Sequence, residues 1–520
     1  MPRRYWKPLR VVIATLVFAL AALLFLGHAG SLPVASRDAL LYPQFIPSLL
    51  NYTTLFGLAA TGFIAVILLT LLYGRVYCST LCPLGILQDV FIRLAQWWRP
   101  RRVPFHYSRP HSRLAYTVLL LTVLTWLSGS LLLINLLDPF SVFGRLVSDG
   151  LRPLYFGAYN LVAYSLAAFG AYPLAPVVWH AAPLPTLLIP LLSLAVLIVL
   201  SVRQGRLYCN TLCPVGTLLG LLARVALFRI RIDEEACTVC AQCSIHCKAG
   251  CIHLKTRAVD FDRCIACYDC LGVCKGAGIG YRHSHRPSVA TVPAAVDSGR
   301  RALLRSGLLY LGGLLALTRD VPVGGATTPP PPTIERLPVI PPGAQSLAHF
   351  NATCTACHLC VSACPTGVLQ PAWLEYGWSG LLQPRLDFAA SFCNFECTLC
   401  GELCPTGAIL PLAKAAKQVT QLGVAHFIKE LCIVYTDHTA CGACSEHCPT
   451  KAVQMVPYRD KLTIPEVREA ICIGCGACEY ACPVRPARSI VVHGHAEHQA
   501  AQPPTTQRLE LPVQNNAFPF

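Results

Sequence analysis

Charge is what this sequence most lacks. Asp, Glu, Lys and Arg make up 13% of its 520 residues, about half of the roughly 25% found in an ordinary soluble domain. Acidic residues are the scarcer sign, 26 against 42 Lys and Arg, and methionine occurs only twice. With 54% hydrophobic residues, disorder is excluded as the main state and a purely soluble chain is disfavoured. The basic excess is uneven. Residues 1–345 hold 31 Lys and Arg against 13 Asp and Glu, whereas residues 346–520 hold 11 against 13. A basic half that is also the apolar half reads as membrane topology, so no nucleic-acid partner is expected.

Four uncharged stretches, 11–26, 55–72, 114–137 and 184–202, are long enough, or nearly so, to span roughly 30 Å of hydrocarbon. Arg3, Arg4, Lys7 and Arg10 precede the first. Arg93, Arg99, Arg101, Arg102, Arg109 and Arg113 separate the second and third, and Arg203, Arg206, Arg224, Arg229 and Arg231 follow the fourth. The remaining connections hold only Arg37, Arg145 and Arg152. By the positive-inside rule both ends of this four-helix unit face the cytoplasm. A cleaved signal segment is the competing reading of 11–26, but its removal would invert the downstream charge pattern. The tyrosine-rich stretch 154–174 reads as an interfacial or re-entrant helix at the outer surface rather than a fifth span.

An internal repeat lies across this unit. Gly74-Arg75-Val76-Tyr77-Cys78-Ser79-Thr80-Leu81-Cys82-Pro83-Leu84-Gly85 recurs as Gly205-Arg206-Leu207-Tyr208-Cys209-Asn210-Thr211-Leu212-Cys213-Pro214-Val215-Gly216. The unit is therefore two helical hairpins in tandem, each ending in a Cys-x3-Cys-Pro turn.

Cysteine is as abundant as charge is scarce: there are 29. Cys237, Cys240, Cys243 and Cys247, and again Cys264, Cys267, Cys270 and Cys274, follow the spacing C-x2-C-x2-C-x3-C. Cys354, Cys357, Cys360 and Cys364, and Cys472, Cys475, Cys478 and Cys482, add a proline after the last cysteine. Cys393, Cys397, Cys400 and Cys404, and Cys432, Cys441, Cys444 and Cys448, lengthen only the first gap. This is the bacterial-type ferredoxin run, in which three thiolates hold one 4Fe–4S cluster and the fourth reaches the partner cluster. Six such clusters are expected. Zinc ribbons set their two knuckles further apart, and closely spaced cysteines make poor disulfide staples. Cys354 to His358 formally matches a c-type haem site, but it lies inside a complete ferredoxin run.

Cys78, Cys82, Cys209 and Cys213 are a further candidate metal set, and Cys251 remains over. Three readings stand for the four: a seventh cluster at the cytoplasmic face, a redox-active thiol or soft-metal site, or structural turns. Ser298-Gly299-Arg300-Arg301-Ala302-Leu303-Leu304-Arg305 looks like an internal twin-arginine export signal. A domain that acquires its clusters inside must cross already folded, so residues 346–520 are expected on the periplasmic side.

The N-terminal half, with its paired Cys-x3-Cys-Pro turns and two-cluster tail, resembles NapH and the polyferredoxin parts of NosR and CcoG. Residues 298–493 are similar to the exported ferredoxins NapG and MauM. That likeness rests on the twin-arginine segment, Cys364-Pro365-Thr366-Gly367-Val368-Leu369, and Gly423-Val424-Ala425 before Cys432 with its long gap to Cys441. Cys247 and Cys274 depart from the pattern, being followed by Lys. The resemblance implies a NapH–NapG-type fusion of mixed class: an α-helical membrane domain of four transmembrane helices in two hairpins, plus α+β ferredoxin-like multi-cluster domains. The expected organisation is a membrane domain over 1–231, a cytoplasmic two-cluster domain over 232–285 and an anchor and Pro-rich linker over 286–345. A four-cluster domain over 346–493 and a disordered tail over 494–520 complete it.

The implied activity is quinol oxidation in a bacterial inner membrane, with electrons relayed from the quinol pool through the clusters to an external redox partner, a cytochrome or reductase. Asp138 and His180 in the outer connection, near Arg145 and Trp179, are the candidate quinol-site residues, since either could take the quinol protons. As in CcoG, the membrane thiols could instead reduce a metal ion for cofactor maturation, with His493, His495 and His498 in attendance. A non-catalytic electron-transfer subunit is the third possibility.

Overall fold

The computed structural model describes residues 5–55, 61–98, 105–170, 172–177, 182–274, 276, 278–283 and 337–503. Arg300, Arg301 and Arg305 of the twin-arginine-like segment, the Pro-rich linker, Trp179 and His180 lie outside the described residues.

The first apolar stretch forms α1 (Trp6–Leu23), which continues as a wider helical turn to His28. Gly27, at φ 101°, kinks that turn. Then come α2 (Val34–Leu41), α3 (Phe45–Leu55), α4 (Gly62–Tyr73), the amphipathic α5 (Pro83–Trp98) and α6 (Ser112–Leu127). The run continues with α7 (Pro139–Arg145), α8 (Arg152–Ala168), α9 (Leu184–Gln204) and α10 (Pro214–Ala223). Among the described residues two helices are long and apolar enough to cross a membrane, Trp6–His28 and Leu184–Gln204. The expected spans 55–72 and 114–137 are shorter as helices. Gly129, at φ 86°, closes α6 with its N–H on the Trp126 carbonyl, and the chain restarts as the short helix Leu132–Leu137. A left-handed glycine just past the last turn is a common helix stop that an apolar run conceals.

Two ferredoxin-like units sit at opposite ends of α1. At its start, Trp6 packs on Tyr268 and Tyr281, and Lys7 pairs with Asp269 at 3.0 Å. This unit holds β1 (Phe228–Ile232) antiparallel to Ile279–His283, beside a small hairpin of Ile252–His253 with Ala258–Val259. The ends of α4 and α9 reach the same unit. Tyr281 donates to the Tyr73 carbonyl, and the Arg206 N–H donates to the Lys248 carbonyl. Gly205, at φ 64°, makes that approach possible, because a Cβ there would stand 2.2 Å from the Lys248 oxygen.

At the other end of α1, Phe25 packs on Phe140 and Phe143. One buried core runs from these rings into Cys357, Leu359 and Ala363 of the C-terminal unit. That unit pairs Leu369–Pro371 with Pro384–Leu386, Thr420–Phe427 with Ile490–Ala500, and Val453–Pro457 with Thr463–Val467, all antiparallel. The expectation of a disordered tail from 494 is corrected here. The strand continues to Ala500, with Gln499 opposite Gln421 and Ala500 opposite Thr420 beyond an irregularity after Gly494. Polar residues hid this pairing, because a strand end with one solvated face needs no apolar run.

Candidate metal centres

Four of the six cysteine runs share one backbone form. In each C-x2-C-x2-C, the residues two and four after the first cysteine have positive φ: Val239 and Ala241, Ala266 and Tyr268, Ala356 and His358, Gly474 and Gly476. Such alternation turns successive backbone N–H groups inward as a concavity for a negatively charged group, a recurring feature of iron–sulfur sites. The third cysteine then lies in a short helix, as Cys360 does in Leu359–Ala363 and Cys478 in Ala477–Ala481.

The thiols meet in the crossed pattern of paired clusters. Cys404 stands close enough to Cys354, Cys357 and Cys360 for its charge to bear on each, and Cys364 does the same for Cys393 and Cys400. Cys448 approaches Cys472, Cys475 and Cys478. In the smaller unit Cys247 approaches Cys267 and Cys270, and Cys274 approaches Cys243. Two of these sets enclose a cavity. One is lined by Cys247, Cys264, Cys267 and Cys270, the other by Cys364, Cys393, Cys397 and Cys400. A thiolate cage around an internal space suits a multi-iron cluster. Cys251, left over by the spacing, lies 3.5 Å from Cys247, sulfur to sulfur, and is buried.

The Cys-x3-Cys-Pro turns also come together. Cys78, Cys82, Cys209 and Cys213 are each under 5% exposed and share one core. The two halves are tied by an exchange of arginines. Arg75 of the first turn donates to the Cys209 carbonyl at 2.9 Å and to Asn210 at 2.7 Å, while Arg206 of the second donates to the Cys78 carbonyl at 3.3 Å. Gly85 and Gly216 bring the helices close, since a Cβ on either would stand within 2.3 Å of the Cys78 or Cys209 oxygen. Backbone N–H groups of Gly85 and Gly216 donate to the Cys82 and Cys213 sulfurs, and Gln88 donates to the Cys209 sulfur at 3.3 Å. A pseudo-symmetric box of four buried sulfurs, with two guanidinium groups and several N–H donors around it, is suited to thiolates that share a cluster.

The family model described as "4Fe-4S binding domain" matches residues 55–105 and 186–233, and so covers both turns of this box. Those described as "4Fe-4S dicluster domain" match 353–409 and 439–485. The methylamine utilization ferredoxin-type protein MauM of Methylophilus methylotrophus is 31% identical over 183 residues, 34% of this chain and 78% of that protein. The chain belongs to the NapH/NosR/MauM-like polyferredoxins. The ferredoxin-type protein NapH of Escherichia coli is 27% identical over 228 residues, 42% of this chain and 65% of its own. The putative electron transport protein YccM of the same organism is 23% identical over 288 residues, 55% of this chain and 71% of its own. No solved structure matches the chain.

Around the box, this polyferredoxin buries an ion network that motif reading missed. Asp89 of α5 takes Arg10 at 2.5 Å, Arg206 at 2.9 Å and Lys248 at 3.5 Å, and Lys248 goes on to Asp269 at 3.0 Å. Burial alone would raise the Asp89 carboxyl, but Arg206, Lys248 and Arg10 hold it well below the usual carboxylate range. The visible signal was Arg206 inside the repeat; Asp89, four residues past the end of the first repeat copy, gave none.

Asp138 takes a structural place. It caps α7, accepting from the Ser141 N–H at 2.8 Å and hydroxyl at 2.7 Å, and is 1% exposed. Arg145 donates to the Ala356 carbonyl at 3.0 Å, joining the membrane unit to the first C-terminal run. His358, at the haem-like position, is fixed between Asp149 at 2.9 Å and the Leu382 carbonyl at 2.8 Å. A ring nitrogen engaged on each side leaves it no free ligand position.

Proposed function

We propose that this polyferredoxin oxidises quinol in the bacterial inner membrane and passes the electrons to an external redox partner. On this reading the six ferredoxin runs hold six 4Fe–4S clusters, with Cys78, Cys82, Cys209 and Cys213 holding a seventh. The clusters supply one-electron relay sites; the chain binds, insulates and aligns them. Residues 298–493 correspond to a NapG/MauM-type part fused to a NapH-type part. The observation that carries the proposal is that the two ferredoxin units meet opposite ends of one helix. Trp6–His28 has 23 residues, roughly 34 Å at 1.5 Å per residue, about the thickness of a bilayer's hydrocarbon core. This supports residues 232–285 on the cytoplasmic face and residues 346–503 on the periplasmic face. Residues 55–72, with α4, and residues 114–137, with α6 and the short helix Leu132–Leu137, then complete a four-span unit.

Between the box and the outer unit lie Tyr208, Asp138 and Arg145. Tyr208 donates to the Leu137 carbonyl, and the charge of Asp138 bears on Cys357. The four-sulfur box and the first C-terminal run share one buried hydrophobic core. Metal-ion reduction at the membrane thiols is less well supported, because sulfurs buried this deeply offer an aqueous ion no approach. The test is anaerobic purification with iron and sulfide analysis, followed by addition of a short-tailed quinol. Bleaching of the cluster absorbance by quinol is expected. Clusters that stay oxidised with quinol but, once reduced with dithionite, are reoxidised by copper(II) or iron(III) ions would overturn the proposal in favour of metal reduction.

A further inference from the structure

A cavity of about 410 Å³ lies where the outer end of α1 meets the C-terminal unit, inside the roughly 300–1,000 Å³ range of small-molecule sites. Gly27 and His28 at the end of α1, Asp149 ahead of α8, Arg152 at the start of α8, and the run from Val361 to Pro365 contribute to its lining. It is distinct from the surroundings of Asp138, which does not line it.

Three features single it out. Its polar groups converge: the His28 imidazole nitrogen Nε2 is 3.1 Å from the Tyr155 hydroxyl, and the Arg152 Nε is buried without a hydrogen-bond partner among the described residues. One buried donor left free beside an apolar ring, here Phe156 with Arg152 5.2 Å above it, is an arrangement that a ligand oxygen would satisfy. Its position suits a lipid-borne ligand, because the adjoining α8 exposes Leu154, Leu161 and Val162. Its wall is shared: Cys364, Pro365, Leu369 and Leu399 also line the cage formed with Cys393, Cys397 and Cys400. One layer of residues therefore separates the cavity from a proposed cluster.

We infer that this cavity binds the quinol head group, with Arg152 and His28 as its polar anchors. The inference rests on the quinol-oxidation reading above and adds to it a location and a base. Oxidation breaks both quinol O–H bonds and yields quinone, two protons and two electrons. The electrons leave one at a time across the Cys364 wall. The first proton passes to His28 beside Tyr155; the second follows the same route once His28 has discharged to the outer aqueous face.

The experiment uses the full chain in detergent, with heptyl-hydroxyquinoline N-oxide as the probe and quenching of its fluorescence as the binding readout. Ser31→Trp, at a residue lining the cavity, is expected to weaken probe binding by about tenfold or more with iron content unchanged. His28→Gln is expected to slow cluster reduction by quinol while iron content stays unchanged. Should Ser31→Trp lose iron, Val177→Trp, at another lining residue, gives the same readout. Wild-type binding and quinol reduction that survive the cavity-filling variant intact would place the site elsewhere and leave the quinol reading standing. A wild-type protein that binds no probe and is not reduced by quinol overturns both.

Discussion

At the residue scale, the chemistry depends on groups whose partners come from far along the chain. Asp89 is the clearest case, a single carboxylate facing Arg10, Arg206 and Lys248. Removing one member of a buried ion network leaves the others uncompensated, typically at about 3–5 kcal/mol. Asp89→Asn should therefore lower the thermal unfolding midpoint in detergent and release iron earlier on heating. The four-sulfur box makes a sharper prediction. Cys78→Ser with Cys213→Ser should reduce iron by about four atoms per chain, the content of one cubane; unchanged iron would exclude the seventh cluster. His498 gives the pH dependence. Burial and the neighbouring His495 lower its pKa from 6.5 to about 4, so the unfolded chain binds its proton more readily. Its contribution to stability is intact above pH 6.5 and is lost as pH falls from 6.5 through 4. His498→Gln should flatten that limb of the stability–pH curve, measured on iron-loaded protein.

At the element scale, the repeat is more than two copies of a turn. Each hairpin supplies an arginine to the other's backbone carbonyl, so neither half completes its own site. Gly205 sets the height at which α9 meets the two-cluster unit. Gly205→Val adds a branched side chain at positive φ against the Lys248 carbonyl, a strain of about 1–3 kcal/mol. The expected outcome is loosening of that contact, read as faster trypsin cleavage of residues 232–285 with iron in the C-terminal unit retained. The cysteine runs were legible at this scale from spacing alone, because a cubane's corners dictate how many residues separate its ligands. The left-handed pairs such as Ala356 and His358 were not legible. Alanine does not favour positive φ, and the cage the two residues build holds them there.

At the scale of the whole molecule, the placement of two ferredoxin units at opposite ends of Trp6–His28 predicts opposite protection. In sealed inside-out vesicles, protease should cleave within 232–285 and spare 346–503; right-side-out vesicles should reverse the pattern. Cleavage of both from one side would exclude the transmembrane arrangement.

The sequence alone determined the cofactor class, the repeated Cys-x3-Cys-Pro turn and the basic apolar half, because ligand spacing, repeats and charge asymmetry are local and countable. Scarcity of charge was its first sign, and most of the charge buried near the four-sulfur box proves to be spent on one network around Asp89. Only the tertiary structure decided which cysteine approaches which, that Arg75 and Arg206 cross between hairpins, that α6 stops at Gly129, and that Asp138 caps a helix. It also brought Gly27, His28, Arg152 and Cys364 around one cavity. Those residues come from separate segments and carry no shared pattern, so their association depends on how the helices pack and on where the C-terminal unit docks.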